Sequence, residues 1–208
     1  MADPNRTRTR TRTRTVAFGV SAALLVALTG CATDSGSLAE QYRAGDGKNY
    51  IAGDGRITEL APDERGDPIR FEGPLETGGT VDTADYLGSV LVLNIWYAGC
   101  APCRAEAPDL QAVWEEFEGR GVQFLGVNVR DQATTALAFA ETYGITYPSV
   151  LDVEEGAAQL ALSGVVAPNA VPTTLVIDKQ GRTASRILGR LESAGILRSL
   201  IETALEED

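Results

Sequence analysis

Cys100 and Cys103 are the residues of this 208-residue chain best suited to chemistry, because thiols separated by two residues can close and open a disulfide. They stand in Cys100-Ala101-Pro102-Cys103, directly after the apolar run Val90–Trp96. Gly99 turns the chain, and Pro102 lacks an N–H that the first turn of a helix does not use. Cys100 is therefore expected at a helix entrance and Cys103 within the first turn. Unpaired backbone N–H groups and the positive end of the helix dipole then favour a thiolate at Cys100, the form that attacks a disulfide. Along the helix, Cys103, Glu106, Ala107, Leu110, Val113, Trp114 and Phe117 recur with a spacing that puts them on one inward stripe. Glu106 is thus an acid on an apolar face, one turn after Cys103. A partly buried carboxylate there has a raised pKa and can exchange a proton with that thiol.

Other readings apply to the same residues. Cys100 and Cys103 could be half of a zinc site or an inert crosslink, but a four-ligand site needs two more Cys or His and the chain has no His. Glu106 could simply complement the helix dipole. A Cu(I) or other metal carrier is a second functional class, since two thiolates alone can hold Cu(I). No metal and no cofactor is expected.

The element before the cysteines is a strand, Val90–Trp96, apolar except for Asn94, as in a strand buried on both faces of a mostly parallel sheet. From here the chain resembles the thioredoxin superfamily, and more closely the TlpA/ResA-like extracytoplasmic thiol-disulfide oxidoreductases. The residues that carry the resemblance are Asn94, Trp96, Cys100-Ala101-Pro102-Cys103, Arg104 and Glu106, and it extends over about residues 69 to 205. Relatives often carry Trp where Gly99 stands. The Pro-x-x-x-Thr-x-x-Cys arrangement of peroxiredoxins is missing around Cys100.

The resemblance implies an α/β thioredoxin-like fold, a central mixed sheet flanked by helices, with an N-terminal β-hairpin and a central helix-strand insertion. For the hairpin, Ile69–Phe71 and residues 80–81 are the strand candidates. Residues 122–129 read as the next strand and 135–143 as a helix ended by Gly144. Residues 149–152 and 155–163 give the inserted strand and helix. Residues 174–177 form a strand, Lys179-Gln180-Gly181 a turn into 182–188, and a last helix carries the stripe Leu197, Leu200, Ile201, Ala204 and Leu205.

The resemblance also assigns roles. Cys100 attacks, Cys103 resolves the mixed disulfide and Glu106 assists. Pro172 matches the cis proline beside the site; a cis bond would turn the Val171 backbone outward, where an extended substrate segment pairs as an added strand. Taken alone, Pro172 reads as an ordinary trans proline starting a strand, and the cis isomer rests on the resemblance. Trp96 borders the site, or is a core aromatic. The activity implied is reduction of protein disulfides, some relatives acting in cytochrome c maturation, with oxidation of secreted thiols as the alternative.

At the N-terminus, Arg6, Arg8, Arg10, Arg12 and Arg14 precede the apolar run Val16–Leu28, too short to span a membrane comfortably, which reads as an export signal. Leu28-Thr29-Gly30-Cys31 resembles the bacterial lipobox, so Cys31 is the expected lipid attachment site; the alternatives are cleavage with release or an uncleaved anchor. Two acyl chains hold a protein durably. The expected organisation is a signal peptide over 1–30, a lipidated tether over 31–56 rich in Gly, Asp and Ser, and a thioredoxin-like domain over 57–208. The chain is expected as a monomer, lipid-anchored on the extracytoplasmic face of the cell membrane, exchanging electrons with protein thiols and a membrane partner. Without residues 1–30, which hold five Arg and one Asp, the 18 basic and 29 acidic residues become 13 and 28, and the net charge falls from −11 to −15. Such a surface repels nucleic acid.

Overall fold

A computed structural model describes residues 57–167 and 170–207. The leader, Cys31 and the tether over 31–56 lie outside the described residues. Six strands form one sheet in the order β1 (Ile57–Glu59), β8 (Thr183–Leu188), β7 (Thr173–Ile177), β4 (Val90–Trp96), β5 (Val122–Asn128) and β6 (Ser149–Leu151). β4, β5 and β6 run parallel, while β7, β8 and β1 are joined antiparallel, so the sheet is mixed. Every residue of β4 is buried, as its unbroken apolar run requires of a central strand.

Alternation along β4 divides the core. Val90 and Val92 point into a cluster with Leu110, Val113 and Phe117 of α1 (Ala101–Phe117) and Leu197, Leu200 and Ile201 of α4 (Ala194–Glu206). Leu91, Leu93 and Ile95 point to the other face, against Leu162 and Ala158 of the segment that holds α3 (Ala157–Ala161). The inward stripe of α1 is buried as its spacing predicts, with Gln111 added and Trp114 only partly covered. Pro108 sits inside α1, where its missing N–H leaves the Arg104 carbonyl without its helical partner. Gly144, with φ of 69°, caps α2 (Ala133–Tyr143) in the left-handed region.

The hairpin differs from its expected register. It pairs β2 (Glu72–Pro74) with β3 (Thr80–Asp82), and Ile69–Phe71 is not a strand. Ile69 and Phe71 are buried, but their backbone groups are satisfied elsewhere: Ile69 N–H donates to the Gly181 carbonyl, and Phe71 N–H to the Thr83 hydroxyl. Apolar alternation there marks two core contacts, with no ladder. The short edge strand β1 is not legible in a stretch rich in Gly and Asp. The edge strand β6 is covered by the segment after β2: Glu76 takes the Ser149 N–H on its carboxylate at 2.7 Å and donates its own N–H to the Ser149 carbonyl.

Candidate active site

The β4–α1 junction sets the cysteines. Cys100 is the N-cap of α1, with extended φ and ψ of −75° and 109°, and its Sγ accepts the Cys103 N–H at 3.2 Å. A sulfur in the N-cap position thus meets an orphan helical donor, which is the interaction that lowers a thiol pKa in the reduced state. Cys100 and Cys103 are joined in a disulfide, with Cα atoms 5.2 Å apart. Both are nearly closed to solvent, at 3% and 2% exposure, while Gly99, Ala101 and Pro102 are exposed around them.

Behind the disulfide, Glu106 is fully buried. Its Oε1 accepts from Asn94 Nδ2 at 3.0 Å and its Oε2 from the Leu191 N–H at 2.7 Å; Asn94 Nδ2 also donates to Thr174 Oγ1. Burial pushes the carboxyl up to about 7, against the opposing pull of the Leu191 and Asn94 hydrogen bonds and the Arg190 charge. Tyr147, buried beside it, is pushed well above the usual phenol range by burial and by the Glu106 charge. Glu106 makes no hydrogen bond to Cys103 in this oxidised state; the two share a helix face one turn apart.

Trp96 is 5% exposed, so it packs as a core aromatic. Its ring lies 4.3 Å from that of Phe139, its Nε1 donates to Ser149 Oγ, and with Cys103, Ala107 and Phe139 it forms the apolar layer under the disulfide. Gly126 of β5 makes room for this arrangement: a Cβ there would stand 2.2 Å from Ser149 Oγ and 2.8 Å from Trp96 Nε1. The Val171–Pro172 peptide bond is cis. Val171 packs against the layer that holds both cysteines, and its backbone N–H and C=O take no hydrogen bond among the described residues.

Four residues of the site went unread in the sequence. Leu191 supplies a main-chain donor, Tyr147 shares the burial of Glu106, and Ser149 holds Trp96. Asp131 accepts the Ala98 N–H at 2.6 Å and Asn128 Nδ2 at 2.9 Å, fastening the loop before Cys100 to the end of β5. The one usable signal for Asp131 was Asn128 followed by Asp131 at the end of an apolar strand, a pair apt to bond local backbone. Asn128 Oδ1 does so, accepting the N–H groups of Arg130 and Asp131.

The AhpC/TSA family profile matches residues 65–185, more than half of the chain. The chain belongs to the AhpC/TSA family. Among members of this thioredoxin-fold group it is similar to the ResA thiol-disulfide oxidoreductase of Geobacillus kaustophilus, with 34% identity over 56% of this chain and 64% of that protein. The chain therefore spans just under two thirds of that relative's length. Among solved structures, a DsbF homologue from Corynebacterium diphtheriae shares 37% identity over 74% of this chain and 96% of its own, with a TM-score of 0.64. A secreted thiol-disulfide isomerase from Corynebacterium glutamicum shares 30% identity over 76% and 97%, with a TM-score of 0.68. The match to the AhpC/TSA family takes in both cysteines, Glu106 and Pro172.

Proposed function

We propose that the chain is a thiol-disulfide oxidoreductase that reduces protein disulfides outside the cytoplasm, held to the membrane by a lipid on Cys31. The observation that carries the reading is Cys100 as the N-cap of α1, its Sγ on the Cys103 N–H and its disulfide one helical turn long. In the dithiol state the Cys100 thiolate attacks one sulfur of a substrate disulfide; a mixed disulfide forms and one substrate thiolate leaves. Cys103 then gives up its proton and attacks Cys100 Sγ, which releases the second substrate thiolate and leaves the Cys100–Cys103 disulfide. Two electrons pass to the substrate, and a membrane thiol partner returns them. Glu106 accepts or supplies the proton that moves at Cys103. Val171 pairs with the extended substrate segment beside Pro172. The disulfide of apocytochrome c, whose two thiols must be freed before haem attachment, is the substrate that the family resemblance implies.

Trapping tests the roles. Incubated with an excess of a disulfide-bearing protein, Cys103→Ser is expected to accumulate a mixed disulfide through Cys100, and Cys100→Ser none. Trapping through Cys103 alone would reverse the assignment. A reduction potential above about −180 mV would make the couple an oxidant rather than a reductant. For the anchor, Cys31→Ser expressed in a bacterial host is expected to lose acylation and partition with the soluble extracytoplasmic fraction; diacylglycerol on the variant would remove Cys31 from its role.

A further inference from the structure

A cavity of about 110 Å³ opens on the sheet face opposite α1, walled by Ile95, Val127, Leu162, Val166 and Val171. Val171 is the wall it shares with the redox site, since the same side chain packs against the layer that contains Cys100 and Cys103. The cavity is comparable in size to the ~150 Å³ that admits a benzene ring in an apolar protein core. Its lining is largely aliphatic, which favours an apolar occupant over ordered water. Arg130 stands at the mouth, its guanidinium 4.2 Å over the Tyr97 ring. That stack joins the cavity to the loop running from Tyr97 into Cys100.

We propose that this cavity receives one aliphatic side chain of the protein segment whose disulfide is exchanged, so that the chain selects substrates carrying a branched apolar residue close to the reacting cysteine. The inference rests on the thiol-disulfide reading above. A segment that pairs with the Val171 backbone groups, which take no hydrogen bond among the described residues, sends alternate side chains to opposite faces, and Val171 itself borders the cavity. The wall that aligns the substrate backbone therefore adjoins the wall that reads one of its side chains.

The test uses short Gly/Ser peptides with a single cysteine held as a mixed disulfide with glutathione, and Leu placed in turn at each position on either side of that cysteine. At one position Leu is expected to raise kcat/KM about tenfold or more over Gly, the range open to an apolar pocket, and Glu at that position to give no gain. Ser163→Phe fills the cavity from its exposed rim and is expected to bring the Leu preference within twofold; Ala170→Leu narrows it from another wall and does the same if the first variant does not fold. A flat profile in the unsubstituted protein, or a Leu preference that survives both folded variants, overturns the proposal. The all-Gly/Ser peptide separates the two readings: if it is exchanged and the profile is flat, only the cavity assignment fails, whereas no exchange of any peptide removes the thiol-disulfide function itself.

Discussion

Glu106 shows how one residue carries a functional property through its surroundings. Its carboxyl accepts two N–H bonds, which favour the charged form, yet full burial prevails and lifts the pKa to about 7. A folded pKa above the ordinary 4.5 means that the folded protein holds this proton more tightly than the unfolded chain. The associated stability is complete below about pH 4.5 and is lost as pH rises through 7, a change on the order of 3 kcal/mol. Urea unfolding of the oxidised protein from pH 4 to 8 is expected to show that decline, and Glu106→Gln to remove it. The amide also turns one donor toward either Asn94 or the Leu191 N–H, so at pH 5 the variant should be less stable by about 1–3 kcal/mol. In the dithiol protein an ionised Glu106 repels a thiolate at Cys103. Glu106→Gln is thus expected to shift the pH profile of thiol alkylation and to slow disulfide reduction. Unchanged profiles with lowered stability would mean that Glu106 is a structural acceptor only.

At the scale of elements, the site is the meeting of two strand ends and one helix start. β4 delivers Asn94 and Trp96 inward and the chain then turns into α1 at Cys100; β5 ends beside it and sends Asp131 back to the Ala98 N–H. Arg104 Nη1 holds the Ala98 carbonyl from the other side. The loop before the N-cap is thereby fastened at both polar groups of one residue. Asp131→Ala leaves the Ala98 N–H and the Asn128 amide short of an acceptor, which is expected to lower stability by about 1–3 kcal/mol. It should also change the alkylation rate of Cys100 in the reduced protein, while Asp131→Asn, which keeps an acceptor oxygen, should retain most of both. Chemical denaturation and timed alkylation with mass mapping measure the two effects on the same samples.

Across the whole molecule, three distant segments close on one buried ion cluster. Arg65, after β1, donates to Asp178 at the end of β7 and to Glu207 beyond α4, and Arg182 completes the contact with Asp178. Burial by itself would raise the Asp178 pKa, but the Arg182 N–H and the two guanidinium groups outweigh it and hold the carboxyl below its ordinary range. The stability gained there is present above the ordinary value of 3.8 and lost as pH falls below it. Arg65→Ala strips one cation from a carboxylate that is 2% exposed and is expected to cost about 3 kcal/mol, read as a lower urea midpoint. Its effect should lessen in acid as Asp178 protonates.

The chemistry and the elements nearest it were legible because they depend on local spacing. The inward stripe with Glu106 on it and the stripe of α4 follow from recurrence at 3.6 positions, β4 from its unbroken apolar run, and Cys100 at the start of α1 and Gly144 as a cap from the local chemistry of Gly and Pro. Periodicity tells that a face is buried and is silent on what covers it. The alternation of Ile69 and Phe71 therefore read as a strand, although their backbone partners are Gly181 and Thr83. The cis bond at Pro172 came from family resemblance, since the residues alone allowed either isomer. Only the tertiary structure decided that Glu106 meets the Leu191 N–H, that Asp131 holds Ala98, and that Arg65 joins Asp178 to Glu207. These partners lie between 33 and 142 residues apart, and each buried polar group had to find its donor or acceptor wherever packing brought one within reach.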